Sequence, residues 1–323
     1  MNKPNTAIWL VITTLFAVVL STFTLSHIVT HPWHEVPELG ADGGKNIFTY
    51  LYHVLYGKGI WFEGMNYPYG EHITYTDGQP LLSVPLSSLN KRLTMGDALT
   101  IMWWTIALSY VLSIIYCFKI LLRFSVKPLA AMCFAGLITL LSPQVFRISG
   151  HYALSLMCVL PMLFYFTLQY NQSGRYKYLI FIFFTALPAT FMHPYYAAVS
   201  LVWGGLYSAG YLITHKNTWR KKLWHTAPLL LSLVAVFAIF GIYMKVSDPF
   251  INRPVTPYGI LANCTTLKDV VISTSSPIWA FIGTHIAPGE IADGGDGRSY
   301  IGLTAIITLL VVLGIIVRNR FAT

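Results

Sequence analysis

Residues 98–122 read ALTIMWWTIALSYVLSIIYCFKILL, a run whose one charged residue is Lys119, near its end. Crossing a hydrocarbon core takes about 20 helical residues, each rising about 1.5 Å, so this run is long and apolar enough to span a membrane. The same reading recurs along the chain. It predicts eight spans: Ala7–Val29, Ala98–Leu122, Pro128–Phe146, Tyr152–Tyr170, Tyr178–Met192, Ala197–Thr214, Pro228–Met244 and Ile301–Val317. The fifth is short and carries Pro188, so a kink or tilt is expected there. Pro128 and Pro228 fit first-turn positions, where a missing N–H does no harm.

Composition agrees. Of 323 residues, 55% are hydrophobic and 10% charged, whereas a soluble domain carries about a quarter charged residues. The expected fold class is all-α: a polytopic membrane helix bundle of about eight transmembrane helices, read as a single module over residues 1–323.

A net charge of +9 could suggest nucleic acid, but its distribution excludes that partner. With the N-terminus inside, the short inner segments hold Lys3, Lys119, Arg123, Lys127, Arg175, Lys177, Lys216, Arg220, Lys221, Lys222, Arg318 and Arg320, and no acid. All 12 acids fall on the other side. This is the positive-inside pattern of a multi-pass, inner-membrane-type protein with a cytoplasmic N-terminus. Clusters such as Arg220-Lys221-Lys222 then touch anionic membrane lipids. The first span is too long for a cleaved leader and lacks a small-x-small site. Cys117, Cys133 and Cys158 lie within spans and read as small core residues, with Cys264 in a loop.

Inner loops are too short to build a site, so polar chemistry belongs to the two long outer segments, 30–97 and 245–300, at the periplasmic face. In the first, apolar residues 47, 48, 51, 54 and 55 make a helical stripe over Asn46–Tyr56. An interfacial helix is expected there, with Tyr50, Tyr52 and Tyr56 at the boundary and Gly57-Lys58-Gly59 as its end. A second interfacial helix is expected over Pro80–Leu93. Between them, Asn66-Tyr67-Pro68-Tyr69-Gly70-Glu71-His72 and Thr76-Asp77-Gly78-Gln79-Pro80 are rich in turn formers.

Asp42 is the first candidate for a functional carboxylate. It follows the first span closely, and Gly43-Gly44 permit close backbone approach to a substrate. There it could act as general base for a sugar hydroxyl at the lipid–water boundary; the structural alternative is a capping or turn role. Asp77 is the second, with N-capping of the next helix as its alternative. Glu71 and His72 follow. Arg147 and His151 share a short outer turn, where a guanidinium suits phosphate; snorkelling of Arg147 is the alternative. His193 lies at the next outer turn. In the second long loop Arg253, Lys268 and Arg298 could hold a phosphate, or balance Asp248 and Asp269. His31 and His34 form no complete zinc set, and no dedicated metal site is assigned. A divalent cation, Mg or Mn, held by Asp42 and an outer-turn histidine is the one cofactor option left open. Walker, dinucleotide and nucleophile-elbow motifs are absent.

This layout resembles the GT-C superfamily of integral membrane glycosyltransferases. The resemblance rests on a first span closely followed by an acid at Asp42, a long first outer loop with two interfacial helices, a multi-helix bundle and a second long outer loop. The strings 66–71, 76–80 and Ser299-Tyr300-Ile301-Gly302-Leu303 are similar to uncharacterised bacterial members. It implies a polyprenyl-phosphate-linked sugar as donor and a glycan, lipid or protein as acceptor, with inversion at the sugar. Asp42 would deprotonate the acceptor, Arg147 or Arg253 would stabilise the departing lipid phosphate, and the lipid tail would lie between helices. Two features depart from the pattern. Asp42 has no acidic neighbour, and the chain stops soon after the eighth span. The expectation is therefore the shared module alone, a truncated chain or one subunit of a larger whole. Rival expectations are a transporter or flippase of lipid-linked saccharide and a non-catalytic envelope-assembly subunit.

Overall fold

A computed structural model describes residues 6–34, 41–89, 92–250, 252–253, 270, 281–282, 284–286 and 303–321. Among the described residues the fold is all-α apart from one small hairpin. Two compact units divide the chain after Pro249.

The first unit opens with α1 (Thr6–Thr24), which breaks at Leu25 before α2 (Ser26–Thr30). The first long loop then supplies α3 (Ala41–Tyr56), the antiparallel strands β1 (Trp61–Phe62) and β2 (Glu71–His72), and α4 (Pro80–Ser87). The bundle continues with α5 (Met95–Arg123), α6 (Pro128–Leu140), α7 (Pro143–Phe146), α8 (Val159–Ser173), α9 (Lys177–Met192), α10 (Tyr195–Thr214) and α11 (Trp219–Ser247). In the second unit, α12 is Leu303–Phe321.

Helical runs stand at all eight expected positions, with informative differences. Among the described residues, five helices are long and apolar enough to cross a membrane, and six if a bent pair counts as one span. The chain is a multi-pass membrane protein. The bent pair corrects the third span. Pro143 cannot donate the N–H that would continue the ladder to Thr139, so α6 stops at Leu140 and the chain resumes at an angle of 41°. Pro128 does occupy the first turn of α6, but Pro228 does not open a helix. It lies inside α11, which begins at Trp219. The start of α5 at Met95 is set by a capping box, in which Asp97 N–H donates to Thr94 Oγ1 and Thr94 N–H to Asp97 Oδ2.

Two apolar cores organise the unit. One joins α1, α3, α5 and α6 around Trp103, Ile106, Tyr110 and Phe118. The other joins α8, α9 and α11 around Leu163, Ile182, Leu229 and Leu233. Leu82 of α4 packs against both, so the loop helix bridges the two halves. Between helices, hydroxyl bonds such as Ser113 to Thr139 satisfy polar groups that lipid could not. Large apolar side chains point outward, Phe23 and Ile213 among them, as a lipid-facing surface requires.

The first loop differs in detail from its sequence reading. Helix α3 begins five residues earlier than expected. Tyr50 is fully buried, its hydroxyl donating to the Ala98 carbonyl, so it is a core residue rather than a boundary one; burial also pushes its phenol up in pKa. Tyr56 is exposed, and α3 does end before Gly57. Helix α4 is shorter than expected, stopping at Ser87. Cys117 is buried, but Cys133 is exposed on α6, so it is not a core residue. Cys264, Lys268, Arg298 and the 299–302 string lie outside the described residues.

Candidate functional site

Four of the sequence candidates meet at one end of the bundle, brought there by four different segments. Asp42 is in the first turn of α3, where a carboxylate is favoured by the helix's positive end. Lys45 is three residues further on the same face. Asp77 follows a short 3-10 turn, Ile73–Thr76, in the left-handed conformation at φ 57°; aspartate tolerates this region better than most residues. His151 follows the 3-10 turn Arg147–Ser149, and His193 closes α9.

These side chains form an alternating array. His151 Nε2 lies 3.5 Å from Asp42 Oδ2, and Asp42 Oδ1 lies 4.0 Å from Lys45 Nζ. Lys45 Nζ donates to Asp77 Oδ2 at 2.8 Å, and Asp77 Oδ1 lies 3.4 Å from His193 Nε2. The ends differ in burial. The Asp42 side chain is 56% exposed, Asp77 26% and His193 13%. Burial would raise the Asp77 pKa, but hydrogen bonds from His193 and Lys45 outweigh it and hold the carboxyl at about 2. Asp77 is thus a fixed anion, and the alternative reading, N-capping of α4, does not hold: the residue before α4 is Gln79.

The α3 start is clamped to the His151 turn. Asn46, fully within the protein, donates from Nδ2 to the Gly150 carbonyl. A methyl on Gly43 would stand 3.1 Å from the Tyr152 hydroxyl and 3.3 Å from the Ser149 carbonyl. The close approach that Gly43 allows is therefore to this turn, rather than to a substrate. Lys45 and Asn46 escaped the sequence reading because Gly43-Gly44 are poor helix formers, which put the helix start too late. A lysine three residues after Asp42 was the available signal.

Beside the array, Arg147 is exposed and makes no ion pair among the described residues. It lines a cleft of about 180 Å³ with Gln144, Leu154, Leu160, Tyr195 and Tyr196. Leu160 also lines a second, apolar cleft of about 440 Å³ with Ile138, Phe164, Trp203 and Phe124. The two clefts thus share the Leu160 side chain as a wall.

Within the first unit, Glu71 and His72 are not brought into the array. His72 is fully buried; its Nδ1 accepts from Thr74 N–H, and Nε2 pairs with Ser247 Oγ at 3.0 Å. Glu71 accepts from His72 N–H and from Asn66 Nδ2. In the structure both help to hold the hairpin loop. Arg253 belongs to the second unit, where its guanidinium stacks over Phe250 at 5.5 Å.

A divalent ion does not fit these residues. Among the described residues no three His, Cys, Asp or Glu side chains converge as ligands, and the Lys45 ammonium already lies between the two carboxylates.

No curated protein and no solved structure matches the chain. Residues 57–323 match one family model, described as Domain of unknown function (DUF6311). The match includes Asp77, Arg147, His151 and His193, while Asp42 and Lys45 precede it. The chain belongs to the DUF6311 family.

Proposed function

We propose that this protein is a GT-C-type glycosyltransferase that moves a sugar from a polyprenyl-phosphate carrier to an acceptor hydroxyl. The observation that carries the reading is the ionic array of Asp42, Lys45, Asp77 and two histidines beside the Arg147 cleft. Transfer needs a base for the acceptor, a cation for the departing phosphate and an apolar bed for the carrier's tail. The exposed Asp42 end supplies the base, since Asp77 is committed to Lys45 and His193. Arg147 supplies a guanidinium for the phosphate. The apolar cleft that shares Leu160 takes the first prenyl units. Charge segregation supports an inner-membrane location with the N-terminus in the cytoplasm and the array at the periplasmic face.

The test is release of undecaprenyl phosphate from a panel of undecaprenyl-phosphate hexoses by the purified chain in lipid nanodiscs. Asp42→Asn is expected to lower turnover at least about 100-fold while donor binding persists. No release of undecaprenyl phosphate by the wild-type chain would end this reading.

One observation favours a second reading, transport of a lipid-linked saccharide. The helix pair broken at Pro143 lies next to the site, and broken helices are common at transport sites. Movement of an intact fluorescent glycolipid across the proteoliposome bilayer, without release of the carrier, would select it.

A further inference from the structure

The two Asp–His pairs of the array look alike, but their histidines have different hydrogen-bonding freedom. His193 Nδ1 accepts the backbone N–H of Tyr195 at 3.2 Å. A ring nitrogen that accepts carries no proton, so the neutral His193 ring has its hydrogen on Nε2, which faces Asp77. Both nitrogens of His193 are used. The ring is also half enclosed by Tyr195, at 4.5 Å between centroids.

His151 turns Nε2 to Asp42 Oδ2 at 3.5 Å, so the tautomer with its hydrogen on Nε2 points that hydrogen at the carboxylate. Its Nδ1 has no hydrogen-bond partner among the described residues, and its side chain is 36% exposed. Here a carboxylate holds one nitrogen of an imidazole while the other stays open.

We propose that His151 Nδ1 takes the proton of the acceptor hydroxyl, and that Asp42 is the positioning residue that orients the ring. This rests on the transferase reading above and assigns the base within it. In the step, the acceptor O–H bond breaks and an N–H bond forms at Nδ1. The hydroxyl oxygen bonds to the anomeric carbon, and the bond from that carbon to the phosphate oxygen breaks. Its electron pair leaves on the lipid phosphate. The imidazolium, held against Asp42, later releases its proton to water. The charged groups facing this centre are Asp42, then Lys45, Asp77 and His193 along the array, with Arg147 on the same turn. As a chemical class, imidazole is a stronger base than a carboxylate.

The experiment has two arms, both on the full chain in nanodiscs. The first is nitrogen NMR of histidine-labelled protein, with signals assigned by their loss in His151→Gln and His193→Gln. His151 is expected as the Nε2–H tautomer. Asp42→Asn should scramble that preference and leave His193 unchanged, while Asp77→Asn should do the reverse. A His151 signal in the Nδ1–H form, or one indifferent to Asp42→Asn, overturns the proposal whether or not turnover is observed. The second arm is turnover of the undecaprenyl-phosphate hexose. His151→Gln should lower kcat by roughly 100-fold or more, keep the donor KM within about twofold, and abolish the rise of rate with pH. If His151→Gln keeps rate and pH limb while Asp42→Asn loses both, Asp42 itself is the base and only this inference fails. If neither variant alters turnover, the transferase reading fails with it.

Discussion

Lys45 Nζ donates to Asp77 Oδ2 at 2.8 Å, joining the first turns of α3 to the loop that enters α4. Both side chains are partly shielded, at 37% and 26% exposure. Such a pair is worth more than a fully exposed one but less than a buried one. Removing only the cation leaves a shielded carboxylate without its main partner. Lys45→Met should therefore destabilise the protein by about 1–2 kcal/mol, read as thermal unfolding in detergent. The double variant Lys45→Met/Asp77→Asn should recover part of that loss, because the orphaned charge is gone. Equal and additive losses would show that the contact is not energetically coupled.

The same pair predicts an acid limit. The folded pKa of Asp77 is depressed from 3.8 to about 2, so between those values the unfolded state binds more protons than the native state. The stability from this group is fully present above about pH 4. It is lost as pH falls through about 2, and amounts to roughly 2 kcal/mol at about 1.4 kcal/mol per unit. Unfolding followed from pH 5 to pH 2 should show this loss in the wild type. Asp77→Asn should start lower and lose less over the same interval.

Gly43 gives a steric prediction. A methyl there would press on the Tyr152 hydroxyl and the Ser149 carbonyl, so the α3 start must lift from the His151 turn. Gly43→Ala should cost about 1–3 kcal/mol and lengthen the Asp42–His151 separation, which the His151 tautomer signal would report. Gly205→Ala is the matched control. It lies on α10 with nothing within 4 Å of a new Cβ, and alanine is the better helix former.

The helices were legible because hydropathy is a local property and the membrane imposes one length on each span. Their interruptions were less so. The α6 break was missed because an apolar run continues through Pro143, and Pro228 was misplaced because an amphiphilic turn precedes it within α11. The site was half legible. Asp42, Asp77, His151 and His193 could each be suspected as polar residues at one membrane boundary. Which of them pair is a tertiary property, set by the clamp of Asn46 on Gly150 and by the left-handed turn at Asp77. The inward turn of His72 was invisible for that reason. A histidine in a turn-rich loop looks available until its partners, Thr74 and Ser247, are known.

His72 and His193 should therefore separate in experiment. His72→Ala removes both hydrogen bonds and leaves the hairpin loop untied from Ser247, so stability should fall by about 1–3 kcal/mol. Turnover per folded molecule should stay close to wild type. His193→Ala removes a hydrogen-bond donor from Asp77 inside the array, and should reduce turnover even where folding is retained. Matching stability and activity profiles for the two variants would contradict the division drawn between them.

Arg147 tests the cleft. Its guanidinium has no ion-pair partner among the described residues, so neutralising it costs the fold little, within about 0.5 kcal/mol as for other exposed substitutions. If the lipid phosphate sits at this mouth, Arg147→Gln removes a forked donor from both the bound and the departing phosphate. Donor KM should rise and kcat should fall together, by about tenfold each, in line with about 1.5–3 kcal/mol for a charge-assisted hydrogen bond. Arg147→Lys keeps the charge but loses the fork, and should recover binding more than turnover. Leu160→Trp, on the wall common to both clefts, should instead raise KM for long-chain donors while sparing a carrier with a single isoprene unit. That dependence on tail length would place the carrier in the apolar cleft, whereas equal effects on short and long donors would remove the cleft from the mechanism.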